Sequence, residues 1–70
     1  MRFGRLIRVK NRRGDPEATI YVVAEPDAAK AIAIIKIAGI GQGDDFEDLG
    51  RVTDTLLGAL ALQPGKFTRT

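Results

Sequence analysis

The chain has no cysteine, histidine, serine or tryptophan among its 70 residues. Each absence removes a chemistry. Without cysteine there is no disulfide and no thiolate metal site, and without histidine the usual structural zinc ligands are gone too. The further loss of serine excludes Ser/His/Asp and Cys/His nucleophilic sites, together with imidazole acid–base catalysis. Carboxylates, lysine, arginine, threonine and a single tyrosine remain. No spacing among them marks a catalytic group. The expectation is a protein that is not an enzyme, with no cofactor and no metal.

Long hydrophobic runs are missing as well. Met1 to Val9 carries Arg2, Arg5 and Arg8 and lacks the apolar stretch of a secretory leader. Ala28 to Ile40, the longest apolar-rich segment, is broken by Lys30 and Lys36. It falls short of the roughly 20 residues that cross a bilayer. A cytoplasmic protein with no membrane partner is expected.

What is present is ordinary globular composition, 44% hydrophobic and 29% charged. One domain spanning residues 1–70 is expected. A chain of this length buries only about 60% of its unfolded surface, so its core is marginal. The net charge of +2 hides a segregation. Residues 1–13 hold six bases (Arg2, Arg5, Arg8, Lys10, Arg12, Arg13) and no acid, while residues 14–70 hold five bases and nine acids.

Arg5 to Asn11 alternates partly and reads as a strand, and Ala18 to Glu25, richer in β-branched and aromatic residues, reads as a second. Arg12-Arg13-Gly14-Asp15-Pro16 between them is turn chemistry, which makes the pair an antiparallel hairpin. Pro26 suits the first position of a helix, and Asp27 suits its positive end. The alanine-rich run Asp27 to Ala38 continues that helix, with Ala28, Ile32, Ile35 and Gly39 on one face. A second helix is expected to start near Asp44 or Asp45, where Asp44-x-x-Glu47 has capping-box spacing. Phe46, Leu49, Val52, Thr53, Leu56, Leu57 and Leu60 form its stripe, Glu47 and Arg51 are spaced as an i,i+4 pair, and Gln63-Pro64-Gly65 stops it. Lys66 to Thr70 is either a short third strand or a tail. The expected fold class is therefore α+β: a two-layer domain with an N-terminal antiparallel β-hairpin packed on two α-helices, in the order ββαα(β).

Four features invite a functional reading. Strand alternation puts Arg8, Lys10 and Arg12 on one face, and placing Ile20, Val22 and Ala24 toward the core adds Tyr21 to that face. With Arg13 nearby, this resembles a nucleic-acid platform, with cations for phosphates and a ring for stacking. A solvated sheet face whose charges guard an edge explains the same residues. Gly39-x-Gly41-x-Gly43 lacks the context of a phosphate loop and reads as a connection with Gly39 as a helix cap. Asp44, Asp45, Glu47 and Asp48 do not have EF-hand spacing and read as a helix start, or as a docking site for a basic partner, including the basic arm of another copy. Ile34 and Ile37 lie off the main stripe of the first helix and are candidates for a subunit contact. The leading expectation is a domain that acts through protein–protein contact, with itself as a homodimer or with another protein. Its contact candidates are Ile34, Ile37, Asp44, Asp45, Glu47 and Asp48. Nucleic acid, bound through Arg8, Lys10, Arg12, Arg13 and Tyr21, is the alternative.

Overall fold

The computed structural model describes residues 3–10, 18–41 and 43–70. In chain order it contains β1 (Gly4–Lys10), β2 (Ala18–Val23), α1 (Ala28–Ile37), β3 (Asp45–Val52), α2 (Asp54–Ala59) and β4 (Phe67–Arg69). The strands form one sheet in the order β3-β1-β2-β4, and every neighbouring pair is antiparallel. The expected ββαα(β) domain, two helices over a hairpin, is overturned. Strands dominate, and the element order is ββαβαβ.

The difference lies in residues 45–52, expected as helix and found as an edge strand. A helix there would carry Gly50 in its interior, at a cost of about 1 kcal/mol relative to alanine. In the sheet, Gly50 sits instead beside a β-bulge opposite Leu6 and Ile7, with a φ of 131° that glycine tolerates. Its N–H donates to Asp48 Oδ1 at 3.2 Å. The acids of this segment gain bases across the strand pair, as set out below. The helix begins only at Thr53, whose Oγ1 accepts from the Leu56 N–H at 3.3 Å.

Register decides which side chains share a face, because residues directly opposite each other point the same way. Ile7, Val9, Tyr21, Val23, Phe46 and Phe67 fall on one face, and α1 packs there through Ala31 and Ile35. Gly4, Leu6, Val22 and Val52 fall on the other, beneath Leu57 of α2. The two helices therefore lie on opposite faces of the sheet. Topology requires some crossing of this kind: β2 and β3 run parallel with β1 between them, and β3 and β4 lie at opposite edges.

Asp27 caps α1, its Oδ1 accepting from the Ala29 N–H at 2.9 Å and the Lys30 N–H at 3.2 Å. Pro26 lies just before this cap rather than at the first helical position. Both helices end in the same motif. Gly39 N–H donates to Lys36 O, and Ile40 N–H donates to Ile35 O. Ala61 N–H donates to Gly58 O, and Leu62 N–H donates to Leu57 O. These are paired Schellman closures, each sealed by an apolar contact between the residue after the turn and the helix. After α2 the chain returns along β2, where Ala24 and residues 65–66 exchange hydrogen bonds of 2.8 and 3.0 Å and lead into β4.

Candidate interaction surfaces

The segregated charges meet across β1 and β3. Arg8 lies opposite Glu47, and its Nη2 donates to Glu47 Oε2 at 2.5 Å. Lys10 lies opposite Asp45 in the same register. Arg5 bridges two elements: Nη1 donates to Asp48 Oδ2 at 3.2 Å, and Nε donates to Pro26 O at 2.9 Å, just before α1. The basic strand and the acidic segment are thus neighbours within one molecule. Exposed pairs of this kind contribute little individually, about 0–1 kcal/mol. Charge alone does not fix the register, since the same pairing sets Arg5 opposite Arg51.

This arrangement redistributes the sequence-expected residues. Asp45, Glu47 and Asp48 do not open a helix. Asp45 and Glu47 share the α2 face, whereas the bulge carries Asp48 to the α1 face. Asp44 sits in the turn before β3, its N–H donating to Gly41 O at 2.9 Å. Glu47 and Arg51 do not pair with each other. The Arg51 guanidinium lies 4.8 Å from the Phe3 ring centroid instead. Ile34 is half-buried against the α1 core, contrary to its expected projection away from it. Ile37 is 86% exposed.

The basic platform is divided. Arg8 lies opposite Ile20, and Tyr21 lies opposite Ile7, so Tyr21 is on the sheet face away from Arg8 and Lys10. Its ring packs edge-on against Phe67, with centroids 5.7 Å apart. Arg12 and Arg13 lie outside the described residues. Among the described residues no group of three or more acids is placed to hold a metal ion. Among the same residues no helix is long and apolar enough to cross a membrane.

A different surface emerges from the packing. At 1.5 Å per residue, α2 is about 9 Å long, whereas four strands about 4.8 Å apart span about 14 Å. Leu57 is the one residue of α2 that is buried, and its partners Val22, Val52 and Gly4 lie toward one end of the sheet. Toward the other end the same face carries the half-buried Ile20 beside the ladder of Arg8, Lys10, Glu47 and Asp45, whereas Leu6, opposite Val22, packs against the Leu57 cluster. Leu56 and Leu60, one turn apart on α2, are each 42% exposed. Leu6, Ile20, Leu56 and Leu60 are not among the contact candidates read from the sequence, which places Leu56 and Leu60 in a helical stripe and Ile20 toward the core. The signal for Ile20 was the unbroken apolar run Ile20 to Ala24, which marks a strand with both faces against other elements. Beyond the end of β4 there is also a shallow open notch lined by Ala18, Thr19, Ile20, Arg69 and Thr70.

Comparison with known proteins gives this chain no relative: no family model, no curated protein and no solved structure matches it.

Proposed function

We propose that the protein is a non-catalytic module that acts through protein–protein contact, and that its partner is a second copy of itself. The observation that carries this reading is apolar surface left in water on a very small fold. Ile37 is 86% exposed, Leu56 and Leu60 are each 42%, and Leu49 is 39%. A domain of this size has a thin margin of stability, and with no disulfide available self-association is one of the routes open to it. The residue inventory supports a non-catalytic role, since the carboxylates of Glu47 and Asp48 are engaged by arginines. A cytoplasmic location goes with this reading, because a fold built without cysteine gains nothing from an oxidising compartment.

Sedimentation velocity from about 10 to 500 µM tests the reading, with a concentration-dependent shift from monomer to dimer as the expected result. A monomer throughout overturns it. Titration with single-stranded RNA at two salt concentrations is the companion measurement, and no salt-sensitive binding is expected. A log–log salt slope near −3 would signal about four phosphate contacts at roughly −0.7 each and would favour nucleic acid instead.

A further inference from the structure

We infer that the outer edge of β4 is the docking surface, and that β4 of a second copy pairs with it antiparallel across a two-fold axis at Thr68. This rests on the protein-contact reading above and gives it a surface made of backbone groups. β4 is an edge of the sheet, with β2 on its inner side. Lys66 and Thr70 bond inward: Ala24 N–H donates to Lys66 O at 2.8 Å, and Thr70 N–H donates to Ile20 O at 2.9 Å. The alternation of an antiparallel ladder then turns the N–H and C=O of Phe67 and Arg69 outward, where no strand among the described residues meets them.

A two-fold axis through Thr68 sets Phe67 of one copy opposite Arg69 of the other, and the reverse. Both outward residues of the strand are then paired. Their side chains agree as well, since Phe67 and Arg69 lie opposite Val23 and Tyr21 and stand on the α1 face. Arg69 reaches the half-buried Phe67 ring of the other copy, which already packs edge-on against Tyr21. Thr68, opposite Val22 on the α2 face, meets its own copy, a cross-strand pairing that suits two hydroxyls. Lys66 falls opposite Thr70, so no two cations are directly opposed. Closed pairs require a patch that complements itself, and this edge does so in both backbone and side chains.

The opposite edge of the sheet fails the same requirements. β3 is interrupted by its bulge and carries Asp45, Glu47 and Asp48, and bulges and charges both blunt an edge. A two-fold pairing centred on Glu47 would set that carboxylate against its own copy. One centred on Arg51 would oppose two guanidinium groups, and either arrangement is unfavourable. β4 has no bulge, no proline and no acid. Its contact is short, a three-residue strand from each copy, and falls below the roughly 800 Å2 per partner of a standard interface. The dimer is therefore weak, forming at roughly tens of micromolar or above.

The absence of cysteine from the chain permits a direct test. Position 68 lies on the inferred axis, so Thr68→Cys should oxidise to a covalent dimer at least tenfold faster than Ile37→Cys, whose site is 86% exposed but off the axis. Sedimentation of Arg69→Pro should show dimerisation weakened at least tenfold, because proline removes an outward N–H that the single copy does not use and that an edge strand can spare. Arg69→Gln loses the same charge but keeps that N–H, and should dimerise close to the parent. Thermal melts confirm that each variant is folded. If Arg69→Pro dimerises as the parent does, the edge is wrong while the protein-contact reading stands. If the unaltered protein never dimerises, both fall. Crosslinking of Thr68→Cys no faster than that of Ile37→Cys overturns the two-fold placement.

Discussion

On one face of the sheet a ten-residue helix lies over Ile7, Val9 and Val23 and is flanked by Phe46, Tyr21 and Phe67. On the other, a six-residue helix holds on through Leu57, and the face continues past it as a ladder of paired charges. Both helices start from a side-chain cap and end in a Schellman turn. The difference between the faces is thus one of extent rather than of design. α1 supplies two buried residues, Ala31 and Ile35, with Ile32 and Ile34 packed around them, whereas α2 supplies one. A cover anchored at a single residue can be lost without the sheet, which gives the two faces different failure modes.

Truncating the anchors should expose that difference and give the largest effects. Ile35 and Leu57 are both fully buried, and replacing either with alanine should cost about 2–5 kcal/mol by loss of transfer energy plus a cavity. Ile35→Ala should lower protection from amide exchange throughout β1 and β2. Leu57→Ala should lower it most in residues 53–66, with a smaller loss in β1, because α2 then has nothing buried to hold it. Chemical denaturation with residue-resolved exchange reads both quantities. A uniform loss of protection in Leu57→Ala would show that the second face unfolds together with the first.

The same contrast accounts for what could be read from the sequence. The hairpin strands and α1 follow from local signals: turn residues between β-branched runs, and Asp27 ahead of an alanine-rich segment. β3 does not, because its decisive interactions are distant. Arg8 and Glu47 are 39 residues apart, and Arg5 and Asp48 are 43 apart. Within residues 44–52 the acids and apolar residues also fit a helical stripe, and only Gly50 and the Thr53-Asp54 cap argue for a later start. The segregation of charge was visible, but pairing within the chain could not be told from attraction between copies. Tyr21 was misplaced for a related reason. β2 is apolar at both parities from Ile20 to Val23 because helices approach it from both sides, so alternation alone cannot say which residues share a face with Ile7.

The close approach of α2 to the sheet depends on Gly4. A Cβ there would lie 2.3 Å from the carbonyl oxygen of Val23 and 3.1 Å from Leu57 Cδ2. The first of these is backbone in the neighbouring strand and cannot turn aside, so β1 or β2 must shift. Gly4→Ala should therefore cost about 1–3 kcal/mol through overpacking. The matching structural change is a displacement of Leu57, visible as methyl chemical-shift changes concentrated around Leu57, Val22 and Val52. Stability within about 0.5 kcal/mol of the parent, the range expected of surface changes, would mean that this end of the face is looser than the packing indicates.

The smallest effects test the one place where the two helices share a motif but differ in residue. The turn after α1 uses Gly39 at φ 81°, and the turn after α2 uses Ala61 at φ 53°. A side chain in this left-handed region costs about 1–2 kcal/mol, and glycine recovers part of that while losing more entropy on folding. Nothing lies within 4 Å of a Cβ built at Gly39, so Gly39→Ala probes backbone conformation without a clash. It should destabilise by about 1 kcal/mol, and Ala61→Gly should stabilise by about 0.5–1 kcal/mol. In a domain of this size 1 kcal/mol moves the melting temperature by about 4–8 °C, so thermal melts resolve both shifts. The double variant should return close to the parent, because the two turns lie over opposite faces and share no contacts. A gain from Ala61→Gly larger than the loss from Gly39→Ala would show that α2, with its single anchor, depends more on its closing turn than α1 does.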